Sequence, residues 1–120
     1  MLPSVIVLAA VIAGCGGDAG TTPSGSAQIV PLRADLSGGL SFAPDHATVA
    51  SGKVELVMSN PSTVAHGIAI EGRGASAIGA IVGRGGSSTV TVALKPGTYT
   101  FYCPVPGHRP AGMSGTLTVR

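Results

Sequence analysis

The chain has 120 residues, enough for one domain with one modest core. Charged residues are only 10% of it and the net charge is +2, with no cluster of Lys or Arg, which excludes a nucleic-acid footprint. Nineteen glycines, nine prolines and no long helical periodicity predict a turn-rich all-β chain.

Val5 to Ala13 is an unbroken apolar run. It is too short to span a bilayer and fits the apolar region of a signal peptide. The run leads into Ile12-Ala13-Gly14-Cys15, which resembles a bacterial lipobox. That resemblance implies cleavage before Cys15 and a diacylglyceryl group on its thiol. The match departs from the common pattern at Ile12, where Leu is usual, and in Met1 to Ser4, which hold no Lys or Arg. A plain secretory signal with a chance cysteine is the competing reading. Gly16 to Ala27 is dominated by Gly, Ser and Thr without apolar periodicity, the composition of a flexible tether. The expected organisation is a signal peptide over 1–14, a lipid-anchored linker over 15–27 and a folded domain over 28–120. It places the domain outside the cytoplasm, held to the bacterial cell membrane on its periplasmic or exterior side. A Cys15–Cys103 disulfide, the ordinary reading of two cysteines in an exported chain, is set aside because Cys15 has this other explanation.

Within 28–120 the alternation of apolar and polar residues predicts strands over Ile29–Leu36, Leu40–Ala43, Ala47–Val49, Val54–Asn60, His66–Glu71, Ser88–Leu94, Gly97–Tyr102 and Gly115–Val119. Ser51-Gly52 and Lys95-Pro96-Gly97 mark turns between strands. So many short strands in so short a segment predict a two-sheet Greek-key β-sandwich. Met58 alternates with Val54 and Leu56 and reads as core. His46, in Pro44-Asp45-His46, reads as an exposed turn residue. The Gly-rich stretch 72–87 has neither dinucleotide-binding spacing nor a P-loop Lys-Ser/Thr, and is expected to be a flexible connection with at most a short helical turn. No two Asp or Glu residues sit at a spacing that suggests a paired acid and base, so no enzyme is expected.

Chemistry concentrates in Cys103-Pro-Val-Pro-Gly-His108-Arg-Pro-Ala-Gly-Met113. Thiolate and thioether are soft ligands suited to Cu(I), and imidazole suits both copper oxidation states. Two His and one Cys in a trigonal plane, with a weak axial Met, make an electron-transfer copper site. The second imidazole must come from upstream, and His66 is the candidate. Strand phase supports the set, since side chains two apart share a face. Cys103 is in phase with Tyr99 and Phe101, Met113 with Leu117 and Val119, and His66 with Ile68 and Ile70. Prolines 104, 106 and 110 stiffen the loop. An inert core Cys103 and a core Met113 are the bland alternative. His108 lies mid-loop and is expected to show its ring edge to solvent within an apolar rim of Val105, Pro106, Pro110 and Ala111.

The Cys-x4-His-x4-Met loop resembles that of the cupredoxins, the family of azurin and plastocyanin, and its Pro-Gly-His step is azurin-like. The resemblance implies a cupredoxin sandwich over 28–120. It also implies one copper held by His66, Cys103, His108 and axial Met113, with the carbonyl of Ala65 as a remote fifth contact. In plastocyanin-like relatives an Asn often follows the first His; here Gly67 does. The His-Cys-His of multicopper oxidases is absent, because Tyr102 and Pro104 flank Cys103. The two-Cys loop of the dinuclear cytochrome oxidase domain is absent as well. The expected function is one-electron transfer by a monomer between redox-protein donors and acceptors. The alternative is a copper carrier or storage module serving a client oxidase. A metal-free structural module would leave the Cys/His/Met convergence unexplained.

Overall fold

The structure, a computed structural model, describes residues 26–120. The proposed signal peptide, Cys15 and most of the linker lie outside the described residues. Nine strands and no helix are seen among those described: β1 (Gln28–Ala34), β2 (Phe42–Ala43), β3 (His46–Val49), β4 (Gly52–Ser59), β5 (Ala69–Gly72), β6 (Ala75–Ile78), β7 (Ser87–Leu94), β8 (Gly97–Tyr102) and β9 (Ser114–Val119). They form a four-stranded sheet in the order β2-β1-β4-β7 and a five-stranded sheet in the order β3-β9-β8-β5-β6.

Alternation decides which face each strand buries. In β4 Val54, Leu56 and Met58 point inward and are fully buried. In β8 Tyr99 and Phe101 do the same, and Cys103 continues their phase just beyond the strand. Phe101 meets Phe42 of the other sheet edge-to-face, with ring centroids 5.7 Å apart. The hydroxyl of buried Tyr99 donates to the Lys95 carbonyl at 2.7 Å, so the ring is buried at no hydrogen-bond cost.

Two expectations need correcting. The stretch after Gly72 is not a loose connection. Ala75–Ile78 pairs with Ala69–Gly72 as a hairpin closed by Arg73-Gly74, with Gly72 opposite Ala75. Both turn residues have positive φ, 49° and 80°. That is the signature of a two-residue turn whose twist matches the strands it joins. Arg is an uncommon choice there, and small residues flank it, so the hairpin signal was weak. Second, the strand expected to open at His66 begins at Ala69. His66 itself makes an isolated bridge with Val82, because the chain there is crossing from one sheet to the other.

The topology brings two segments to one end of the sandwich. β8 and β9 are antiparallel neighbours with Tyr102 opposite Ser114, so the 103–113 loop is their hairpin connection. β4 runs in the other sheet toward the same end. The chain leaves it at Asn60, crosses over, and enters β5 with Ala69 opposite Tyr102.

Candidate metal centre

The hairpin loop is built around its own backbone. Cys103 N donates to Met113 O at 3.1 Å and closes the base. Inside, His108 N donates to Val105 O and Met113 N to His108 O, both at 3.1 Å. These bonds fix His108 against Cys103 and bury Met113 completely beneath the loop. On the outer side Arg109 is ion-paired with Glu71 of β5. Its guanidinium lies over the Tyr102 ring, 4.1 Å from the centroid. The Arg109 guanidinium holds the Glu71 carboxyl below the usual carboxylate range.

The crossover segment is held by a buried polar bracket centred on Asn60. Asn60 is 1% exposed. Its amide donates to Val64 O at 2.8 Å and to Val82 O at 2.9 Å. Its side-chain oxygen accepts from Ser62 N and from Ser62 Oγ. Both donors and both lone pairs of the amide are therefore used. Ser88 of β7 adds a second tie: its hydroxyl donates to Ala80 O and accepts from Ile68 N. The Gly-rich segment supplies the other half of this clamp. Val82 exchanges both backbone hydrogen bonds with His66, and Gly79 N donates to Ile68 O. Gly67 explains itself in the same place. A Cβ there would stand 2.9 Å from Ala80 O and 3.2 Å from the Pro104 ring. The ring of the residue after Cys103 packs where a larger residue after His66 would need to be.

The two segments bring three donors together. His66 Nδ1 and His108 Nδ1 are 3.3 Å apart. Cys103 Sγ lies 3.4 Å from His108 Nδ1 and 3.9 Å from His66 Nδ1. The centre of that triangle is about 2.1 Å from each vertex, close to a metal–imidazole or metal–thiolate bond length. With both imidazoles protonated on Nε2, three lone-pair donors face one point, an arrangement a cation satisfies. His66, Cys103 and His108 form the one such cluster among the described residues. His66 and Cys103 are buried and His108 is half-exposed. Pro106, Pro110 and Ala111 are exposed around His108, as the loop composition predicts. His46 is well exposed and pairs with Asp45 instead. The residues fit a copper of the soft-ligand kind. Metal-bound imidazoles usually donate their other N–H. His66 Nε2 is buried without a hydrogen-bond partner among the described residues, so packing and the Val82 bridge orient this ring.

Burial first, and then the charge of His108 beside it, push the His66 imidazole below its ordinary value of 6.5. Because the folded-state value is the lower one, the unfolded chain binds this proton more readily. The metal-free protein should therefore keep its full stability above about pH 6.5 and lose some of it as pH falls further. Asp35 and Glu71 are shifted downward and do not titrate in that window. A denaturation midpoint that stays flat between neutral pH and about pH 5 would contradict this.

Among known proteins, the family described as copper-binding proteins of the plastocyanin/azurin family matches residues 30–120. No curated protein sequence matches significantly. Solved structures do. Dithionite-reduced auracyanin from the photosynthetic bacterium Roseiflexus castenholzii is 26% identical, with a TM-score of 0.67, over 79% of this chain and 99% of that one. Auracyanin B is 28% identical with a TM-score of 0.69, over 78% and 89%. Auracyanin A, described as a "blue" copper protein of Chloroflexus aurantiacus, is 22% identical with a TM-score of 0.66, over 79% and 100%, and supports the fold alone.

Proposed function

Since this chain belongs to the plastocyanin/azurin family of copper-binding proteins and copper is its cofactor, we propose that it carries single electrons between redox proteins. The observation that carries this reading is the convergence of His66 Nδ1, Cys103 Sγ and His108 Nδ1 on one point, at a loop whose Met113 is fully buried. These four residues would hold the metal, with the Met113 thioether as the weakest donor. Copper so bound takes up and gives back one electron between Cu(I) and Cu(II). The chain's part is to hold the donors still, exclude water and leave one edge for contact. The backbone bonds across Cys103, His108 and Met113 and the Asn60 bracket do the first. His108 presents that edge, ringed by a small apolar surface suited to brief docking. No enzymatic activity is proposed. A copper carrier is the second reading, and the burial of both His66 and Cys103 disfavours it, because a delivered ion must leave readily. We further propose that the domain works outside the cytoplasm, anchored to the bacterial membrane by lipid on Cys15.

Ala111→Asp tests the function. The residue is exposed, so the copper spectrum should be unchanged. Electron self-exchange should slow, because a charge and a desolvation cost enter the docking face. Unchanged exchange with an intact spectrum would show that electrons leave elsewhere. Met113→Leu tests the axial position. The swap conserves volume and should cost less than about 1.5 kcal/mol. The blue colour should persist and the reduction potential should rise, because a donor favouring Cu(II) is lost. An unchanged potential would make Met113 a packing residue only.

A further inference from the structure

The charges of the described residues divide between the two ends of the sandwich. The metal end and its adjoining half carry Arg33, Arg84 and Arg109 with Asp35, Asp45 and Glu71, and so balance. Arg33 is opposite Ser59 at the end of β4, and Arg84 adjoins Gly85, whose N–H donates to Asn60 O. At the other end the strands bring Lys53, Arg73 and Lys95 together. Lys53 is opposite Ala93 in the β4–β7 pair. Ala93, Arg73 and Lys95 line one open cleft of about 410 Å³ beside the β5–β6 turn. The Arg73 side chain lies along Gly97, at the start of β8. All three cations are exposed, and none is in an ion pair among the described residues. Glu55, two residues along β4 from Lys53, is the one acidic side chain on that half. Arg120 lies at this same end, its backbone bonded to Val49 and Ser51.

The chain enters the domain at this same cationic end. Gln28 opens β1 opposite Val54, and its side-chain amide is tied to Ala50 by two hydrogen bonds. β1 and β4 then run in parallel toward the metal. Cys15 lies thirteen residues before Gln28, a reach of at most about 45 Å fully extended and roughly 20 Å on average for so Gly/Ser-rich a segment. A lipid on Cys15 would therefore keep the cationic end, and not the metal end, next to the bilayer.

We propose that Lys53, Arg73 and Lys95 form a surface that rests on anionic phospholipid headgroups, with the cleft between Arg73 and Lys95 receiving headgroup phosphate, so that His108 faces away from the membrane. That a membrane is at hand rests on the proposed anchor at Cys15; the charge pattern does not. Each cation near an anionic surface raises affinity about fivefold, and a tether multiplies this by making contact intramolecular.

The test uses the full chain with Cys15→Ser, so that no acyl group contributes and the rest of the N-terminal segment is the same in every variant. Binding is measured to vesicles of phosphatidylcholine and to vesicles of equal parts phosphatidylcholine and phosphatidylglycerol. Binding to the mixed vesicles should be at least about tenfold tighter, and the preference should vanish at high salt. Lys53→Glu with Lys95→Glu should abolish it. Arg33→Glu with Arg84→Glu, the same change of charge at the metal end, should retain it. Equal binding to both vesicles, or equal loss in the two double variants, would overturn the proposal; in the first case the cationic end would be left to an acidic protein. Whether Cys15 itself is lipidated is read separately, by fatty-acid labelling of the wild type.

Discussion

Cys103→Ser is expected to abolish the intense visible absorption of the copper-loaded protein. That band requires a thiolate that donates charge to copper, and a serine hydroxyl is neither ionised at neutral pH nor soft. The sulfur sits 3.4 and 3.9 Å from the two imidazole nitrogens, so its loss removes one vertex of the site. Copper affinity should fall by more than about 100-fold, beyond what losing a supporting residue costs. The fold should survive, because Ser is smaller than Cys and the loop base is closed by backbone atoms of Cys103 and Met113. A serine variant that keeps the wild-type spectrum would show that Cys103 is a core cysteine and nothing more.

Asn60→Ala is expected to weaken both the fold and copper binding, although Asn60 is not itself a donor to the metal. It would leave Ser62 N–H without its acceptor and remove one of the donors to Val64 O and to Val82 O in a buried setting. Each unsatisfied group costs about 1–3 kcal/mol, so a loss near 3 kcal/mol in the metal-free protein is expected. The effect should also reach copper, because Val82 O binds both the Asn60 amide and His66 N. Copper should dissociate faster than in Leu56→Ala, a core truncation of about 2–5 kcal/mol remote from this bracket. Denaturant unfolding and chelator-driven copper release check the two parts. A stability loss under about 0.5 kcal/mol would mean that water replaces the amide freely.

The sandwich and the donor loop were legible because both depend on short-range pattern. Tyr99, Phe101 and Cys103 alternate inward whatever the rest of the chain does. The loop's Cys, His and Met are close enough in sequence to meet through its own turns. His66 was legible because the loop needs a second imidazole from upstream, with its phase with Ile68 and Ile70 only in support, and the regular strand in fact starts at Ala69. The bracket was not legible. Asn60 and Val82 are 22 residues apart, and an Asn-Pro-Ser turn ordinarily faces water. It is buried here because the Gly-rich 79–86 stretch folds over it, a tertiary event with no local signature. The β5–β6 hairpin was missed for a related reason, since Ala, Ser and Gly carry weak strand preference. The segregation of charge between the two ends was equally hidden. Lys53, Arg73 and Lys95 are evenly spread in sequence, and strand direction alone gathers them.

Titration of the purified, metal-free protein with Cu(II), followed by visible and electron-spin resonance spectra, tests the central claim most directly. Three donors converging on one point predict saturation at one copper per chain. They also predict an intense blue band and a small copper hyperfine splitting, because a thiolate shares the unpaired electron. Pale copper with a large splitting, or uptake that saturates at exposed His46 as readily in a His66→Ala/Cys103→Ser variant as in the wild type, would contradict it.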